Sequence, residues 1–355
     1  MALASAFSLP VAASAATIDL NGYGWVTYGD ANSYALNVPS GALPPIEIMS
    51  GPGQIDIYVK LGLNPPGQLS NPTSDMDDAF QTPTANNIEG FRMSSSNEPG
   101  GTTPEGLWDR VGIWDSTLLA LHTELDLFEN SLVFFFANNE TGNTPDLAAW
   151  GRVELTRNNS SLGIFDLTNR GSSTYGPPPL GGGIPYGNPT AYTSTGSGPG
   201  VSDFVDSGND VCTDVNGNLT ACGGPLEAHR YVENLGGDRA AYALVFPELD
   251  ALIGTAMLSG NDLSEYALHV EYRLGCGPET DTLYPNGFPR NPPKNNGADN
   301  GCADNFALNG GDEKVFIGTQ LAPIIPPPAV PEPSTIILLG FGLVGAGLMR
   351  RRIKK

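Results

Sequence analysis

Residues 55–61, IDIYVKL, alternate strictly: Ile55, Ile57, Val59 and Leu61 share one parity, and Asp56, Tyr58 and Lys60 the other. A period of two over such a run predicts a strand with one buried and one wet face. Residues 266–274, YALHVEYRL, repeat the pattern, with Tyr266, Leu268, Val270, Tyr272 and Leu274 opposite His269, Glu271 and Arg273. Between them, SLVFFFA, AAWGRVELTR and SLGIFDL are separated by clusters of Asn, Gly, Pro and Ser, the signature of an antiparallel meander. LALHTELDLF admits two readings. Leu119, Leu121, Leu125 and Leu127 share a strand parity, whereas Leu118, Leu121, Leu125 and Phe128 fall on one helical face; the strand-like neighbours favour a strand. The Ala-rich start of residues 238–253 predicts a short helix that Pro247 breaks or kinks. The expected fold class is therefore mainly β: an antiparallel, sandwich-like ectodomain with long Gly/Pro-rich loops, followed by one C-terminal transmembrane helix.

Composition lengthens the loops in this picture. The 355 residues include 45 Gly and 31 Pro, about a fifth of the chain where roughly an eighth is usual. The densest such stretch, residues 171–200, reads as a long loop or a hinge between two lobes. No repeat of fixed period is visible, which argues against a solenoid or propeller. Acidic residues outnumber basic ones 38 to 17, for a net charge of -21, and five of the basic residues sit in the last six positions. Such a chain repels phosphate backbones, so nucleic acid is excluded as a partner.

The first sixteen residues contain a short apolar stretch, and Ala13-Ser14-Ala15 fits the small-residue pattern of a secretory cleavage site. They are read as a signal peptide handled by signal peptidase and the secretion machinery. The basic segment that usually precedes such a stretch is missing, which leaves a downstream start codon or a weak signal as alternatives. Cys212, Cys222, Cys276 and Cys302 are even in number and lack C-x-x-C spacing, so a zinc or redox motif is not indicated. Of three possible disulfide pairings, Cys212 with Cys222 and Cys276 with Cys302 are favoured. Each closes a loop dense in Asn, Asp, Gly and Pro that has little apolar surface to hold it. Four buried free thiols are the alternative.

At the other end, residues 334–349 carry no charge. A helix of that length covers about 24 Å, short of a hydrocarbon core of roughly 30 Å but within reach of snorkelling basic side chains. Arg350, Arg351 and Arg352 begin a basic end that stays cytoplasmic, which places the rest of the chain on the outer side. The chain thus divides into a signal peptide (1–16), an ectodomain (17–322), a proline-rich spacer (323–333), a transmembrane helix (334–349) and a basic tail (350–355).

Pro331-Glu332-Pro333, followed at once by STIILLGFGLVGAGLMRRRIKK, resembles the PEP-CTERM sorting signal of Gram-negative surface proteins. The motif, the Gly-rich apolar segment and the basic cluster match in order and spacing. The resemblance implies recognition by an exosortase, a membrane-embedded transpeptidase that cuts near the motif. This chain would then be a substrate, not a catalyst: transiently anchored in the inner membrane, then surface or matrix protein. It also implies a setting of extracellular polysaccharide and biofilm, hence a structural or adhesive role. Physically, two prolines stiffen the motif and Glu332 offers one charge to a reader.

Chemistry within the ectodomain is sparse in the sequence. His122, His229 and His269 are far apart and in no ligand spacing; His122 and His269 fall on the polar parity of their strands and are expected in solvent. No G-x-S-x-G elbow, phosphate loop or dinucleotide fingerprint occurs, and no cofactor or metal is expected. Calcium is the one candidate ion. Asp214, Asn216 and Asn218 alternate as in calcium loops, but Leu219 and Pro225 stand where an EF-hand needs Gly and Glu, so an Asn-Gly hairpin turn is preferred. Asp75, Asp77 and Asp78 form a second acidic cluster, read as a solvated loop. Trp108 and Trp114, six apart, share a face if that stretch is extended; exposed, they would stack on sugar rings, as in a carbohydrate-binding module. A glycan hydrolase is a further alternative, although nothing singles out two carboxylates.

Overall fold

A computed structural model of the chain describes residues 17–49, 55–59, 71, 74–81, 91–92, 106–110, 113–137, 147–168, 175–176, 205–207, 210–220, 223–232, 235, 239–274 and 314–321. The chain separates into two units, Met1–Leu321 and Ala322–Lys355, and every described residue belongs to the first. Among these residues no helix is long and apolar enough to cross a membrane. The expected span 334–349, the motif Pro331-Glu332-Pro333, Arg350 to Arg352, and Cys222, Cys276 and Cys302 all lie outside them.

The described unit is mainly β, with two large sheets that are mostly antiparallel. The first has nine strands: β1 (Thr17–Ile18), β2 (Trp25–Tyr28), β3 (Ala31–Ala35), β4 (Ile55–Val59), β5 (Phe80–Gln81), β8 (Asn130–Ala137), β11 (Tyr175–Gly176), β16 (Tyr242–Val245) and β18 (Lys314–Leu321). The second has six: β6 (Phe91–Arg92), β7 (Trp114–Thr117), β9 (Leu147–Arg157), β10 (Ser160–Leu167), β12 (Val205–Ser207) and β17 (Tyr266–Leu274). A small third sheet joins β13 (Asp210–Thr213), β14 (Leu219–Thr220) and β15 (His229–Val232). Within the loop or hinge expected over 171–200, Tyr175 and Gly176 pair with Val26 and Trp25.

One core takes side chains from both large sheets. Val26, Phe134, Phe136 and Ile317 of the first are buried with Val153, Leu155, Leu268 and Val270 of the second, and Phe136 meets Tyr272 edge-on at 5.8 Å. The first sheet is buried on its other face too, where Val133, Phe135 and Phe316 join Ile18, Leu20, Tyr23 and Leu36. That double burial explains why β8 reads as a continuous apolar run rather than an alternating one.

Two local expectations are corrected. Residues 118–125 form helix α1 (Leu118–Leu125), not a strand. Thr117 ends β7 in an extended conformation and its Oγ1 accepts the Ala120 N–H at 3.1 Å, a helix N-cap; Leu118, Leu121 and Leu125 then line the buried face, and Asp126 stops the helix in the left-handed region. Over 238–253 the Ala-rich start leads into strand β16 rather than a helix, and Pro247 opens helix α2 (Pro247–Leu258) instead of breaking it. Proline at the first helical position lacks only an N–H that would have had no partner.

Candidate functional site

The pairing of the second sheet sets the site. Asp115 of β7 lies opposite His269 of β17, and His269 opposite Glu154 of β9. Strand alternation sends Trp114, Leu268, Val270, Val153 and Leu155 into the core, so Asp115, His269, Glu154 and Thr156 project together from the other face. Residues 106–110 and 74–79 fold across this face: the Asp77 N–H reaches the Asp115 carbonyl, and the Thr117 N–H the Asp75 carbonyl, both at 2.9 Å.

A hydrogen-bonded relay results. His269 Nδ1 is 2.6 Å from Asp115 Oδ1, and His269 Nε2 is 2.9 Å from Thr156 Oγ1. Asp115 Oδ2 accepts the Arg110 N–H, and the Arg110 guanidinium donates to Glu154 Oε2 at 2.6 Å. Asp77 Oδ2 accepts the Asp115 N–H at 2.8 Å, and its carbonyl accepts the Trp114 indole N–H at 3.2 Å. Burial, helped by the Arg110 charge and opposed by Glu154 and Asp109, pushes the His269 imidazole down to about 4. The ring is therefore neutral at pH 7, with Nδ1–H donated to Asp115 and the Thr156 hydroxyl donated to Nε2. Burial works to raise Glu154, but the Arg110 and Ser161 hydrogen bonds outweigh it and hold the carboxylate below its usual range.

Carboxylate, imidazole and hydroxyl in this order are the parts of a nucleophile triad. Here they are sealed: Asp115 is 0%, His269 2% and Thr156 1% exposed. A nucleophile needs a reacting atom within about 3 Å, and the Thr156 side chain is closed to solvent here. Beside the relay, Asp77, Asp109 and Asp115 each place one carboxylate oxygen within 4.8 Å of the others. These are the described residues that could ligate a hard cation.

The residues expected from sequence are placed differently. His269 keeps the predicted parity but is buried, because the 106–110 segment covers it. His122 lies on helix α1, where its Nδ1 accepts the Leu127 N–H at 3.2 Å and its ring meets Phe128. Trp114 is fully buried and Trp108 only half-buried, so the two do not form an exposed stacking pair. Asp75, Asp77 and Asp78 part company: Asp75 is exposed at a left-handed backbone position, Asp77 enters the relay, and Asp78 accepts the Asn71 N–H at 3.0 Å. The partners of Asp77 come from elsewhere in the chain, and only the Trp-Asp repeat at 108–109 and 114–115 hints at them.

Asp214 closes a hairpin turn, with Oδ1 accepting the Asn216 and Asn218 N–H groups at 2.7 and 2.9 Å. Gly217 makes that turn at φ +79°, and a Cβ there would sit 2.8 Å from the Gly41 backbone. Asp214→Ala is expected to cost about 1 kcal/mol, as for loss of a cap, readable as a small shift of a urea midpoint with an unchanged slope. Cys212, at the end of this hairpin, is disulfide-bonded.

The family described as Domain of unknown function (DUF8239) matches residues 17–273, which span β1 to within one residue of the end of β17 and include the whole relay. The chain belongs to this family. The PEP-CTERM protein-sorting motif matches residues 329–352. With this motif the protein is an exosortase-targeted, exported protein carrying a C-terminal membrane-anchoring signal. No curated protein and no solved structure matches the chain.

Proposed function

We propose that this DUF8239 member is a non-enzymatic structural or adhesive component of the cell envelope or extracellular matrix. It is held at the inner membrane by residues 334–349 and handed to the surface by exosortase cleavage near Pro331-Glu332-Pro333. The observation that carries the reading is the sealed relay. The set of side chains best suited to chemistry among the described residues is spent on tying residues 74–79 and 106–110 to a sheet. Two sheets about a shared core support a sandwich-like ectodomain, the Cys212 disulfide suits an exported protein, and the acidic composition suits a soluble matrix component. A sugar-binding alternative now rests on half-buried Trp108 beside Leu107, which is 69% exposed.

The test is add-back. Cells lacking the protein are expected to lose cohesion of their matrix, and secreted wild-type and Thr156→Val proteins are expected to restore it equally. A folded Thr156→Val protein that fails to restore it would make the relay catalytic. Failure of Trp108→Ala alone would favour the sugar-binding alternative.

A further inference from the structure

Lys314 and Asp56 sit on adjacent strands and on the same face of the first sheet. Asp56 of β4 is directly opposite Phe316 of β18, and Lys314, two residues before Phe316, points to the same side. Diagonal neighbours of this kind are within reach of a long side chain, and the Lys314 charge acts on the Asp56 carboxyl. The surroundings are apolar: Phe316 is wholly buried there and stacks on Phe135 at 5.1 Å. Asp56 itself is fixed in place. Its N–H donates to Asn71 Oδ1 and its carbonyl accepts from Asn71 Nδ2, both at 3.1 Å. Its side-chain Oδ1 is buried with no hydrogen-bond partner, and a buried polar atom left in that state calls for a reason other than stability. Burial raises the carboxyl to about 6, outweighing the pull of Lys314. The protonated acid is therefore present near neutral pH.

We propose that Lys314 and Asp56 join in an isopeptide bond that fixes β18 to β4. With the proton on the carboxyl and the amine neutral, Lys314 Nζ bonds to Asp56 Cγ and the Cγ–OH bond breaks. The leaving hydroxyl takes one amine proton and departs as water, so no co-reactant enters. Groups held as neighbours react as if at about 10⁵ M or more, which favours condensation, and an apolar site withholds the water that would reverse it. β18 already pairs with β8 along its whole length. The bond secures its other edge covalently, a device suited to the last described strand before the sorting motif. A linked Asp56 no longer titrates, so the pH response of this carboxyl belongs to the unlinked chain.

Tandem mass spectrometry of the exported full chain after tryptic digestion tests this. The wild type should give one branched peptide that carries both Asp56 and Lys314, lighter than its two arms together by one water, with no cut after Lys314. Lys314→Arg keeps the positive charge but lacks the amine, and it should give two linear peptides of full mass. Separate linear peptides from the wild type, with trypsin cutting after Lys314, would leave an ion pair only and overturn the proposal. Loss of one water that persists at Asp56 in Lys314→Arg would overturn it equally, because the bond would then have another partner.

Discussion

Asp115→Ala is expected to lower the melting temperature by roughly 6–12 °C, following from about 3 kcal/mol at 2–4 °C for each. The carboxylate is wholly buried and accepts from the Arg110 backbone and the His269 ring. Removing it leaves two donors without partners in a site closed to water, at about 1–3 kcal/mol for each unsatisfied buried group. Part is returned because Asp77 and Asp109 lose a like-charged neighbour within 4.8 Å. Asp115→Asn should cost only about 1 kcal/mol. Its amide oxygen still accepts from Arg110, while its NH2 forces the imidazole to turn its proton over to Nε2, which then donates to Thr156. Nitrogen NMR of the ring checks this: Nδ1 protonated in the wild type, Nε2 in the Asn variant. Calorimetry giving equal losses for Ala and Asn would remove the relay as the source of the effect.

The second large effect is on pH dependence. Asp250, in the first turn of α2, accepts the Leu132 N–H at 3.3 Å. Burial raises its carboxyl to about 7, outweighing the hydrogen bonds from Leu132 and Ser131. A carboxyl that keeps its proton longer when folded contributes nothing below its unfolded value of 3.8. It then lowers stability as pH climbs to about 7, by about 4 kcal/mol at most at 1.36 kcal/mol per unit. Asp250→Asn keeps an acceptor for Leu132 and removes the titration. The variant should equal the wild type near pH 4 and exceed it by a few kcal/mol at pH 8. Two other groups act in the same range with opposite signs. Asp56, raised to about 6 by burial against the pull of Lys314, lowers stability as pH rises. His269, depressed to about 4, contributes stability that is present above its unfolded value of 6.5 and lost as pH falls towards 4. They nearly cancel, so the urea-derived stability of the Asn variant should be almost flat from pH 4 to 6.5 while that of the wild type declines. A variant that tracks the wild type at every pH would mean Asp250 is solvated.

Period-two alternation located β4, β9, β10 and β17 because each has faces that differ. It could not tell that β8 is buried twice, although its unbroken apolar run carried that information. Residues 118–125 were legible as a helix only through Thr117, a cap whose oxygen competes for the first free N–H; the leucines satisfy both periods. Pro247 misled because position within a helix, not presence, decides what proline does. At the site, the parity of His269 was readable but its burial was not. Covering that face takes Arg110, 159 residues earlier, and Asp77 earlier still, and long-range contacts of this kind leave no periodic trace. The sorting signal, by contrast, is local and linear: a protein that reads extended chain needs only motif, apolar segment and charge in order, so it was legible in full.

We propose that an exosortase converts a membrane-anchored precursor into a surface protein at Pro331-Glu332-Pro333. Intact-mass measurement of the protein released from cells, for the wild type and for a variant with all three residues changed to Ala, tests it directly. The released wild-type protein should lack the RRRIKK end and terminate near the motif, and the variant should remain in the membrane fraction with that end intact. Release of both proteins with RRRIKK still attached would contradict the claim.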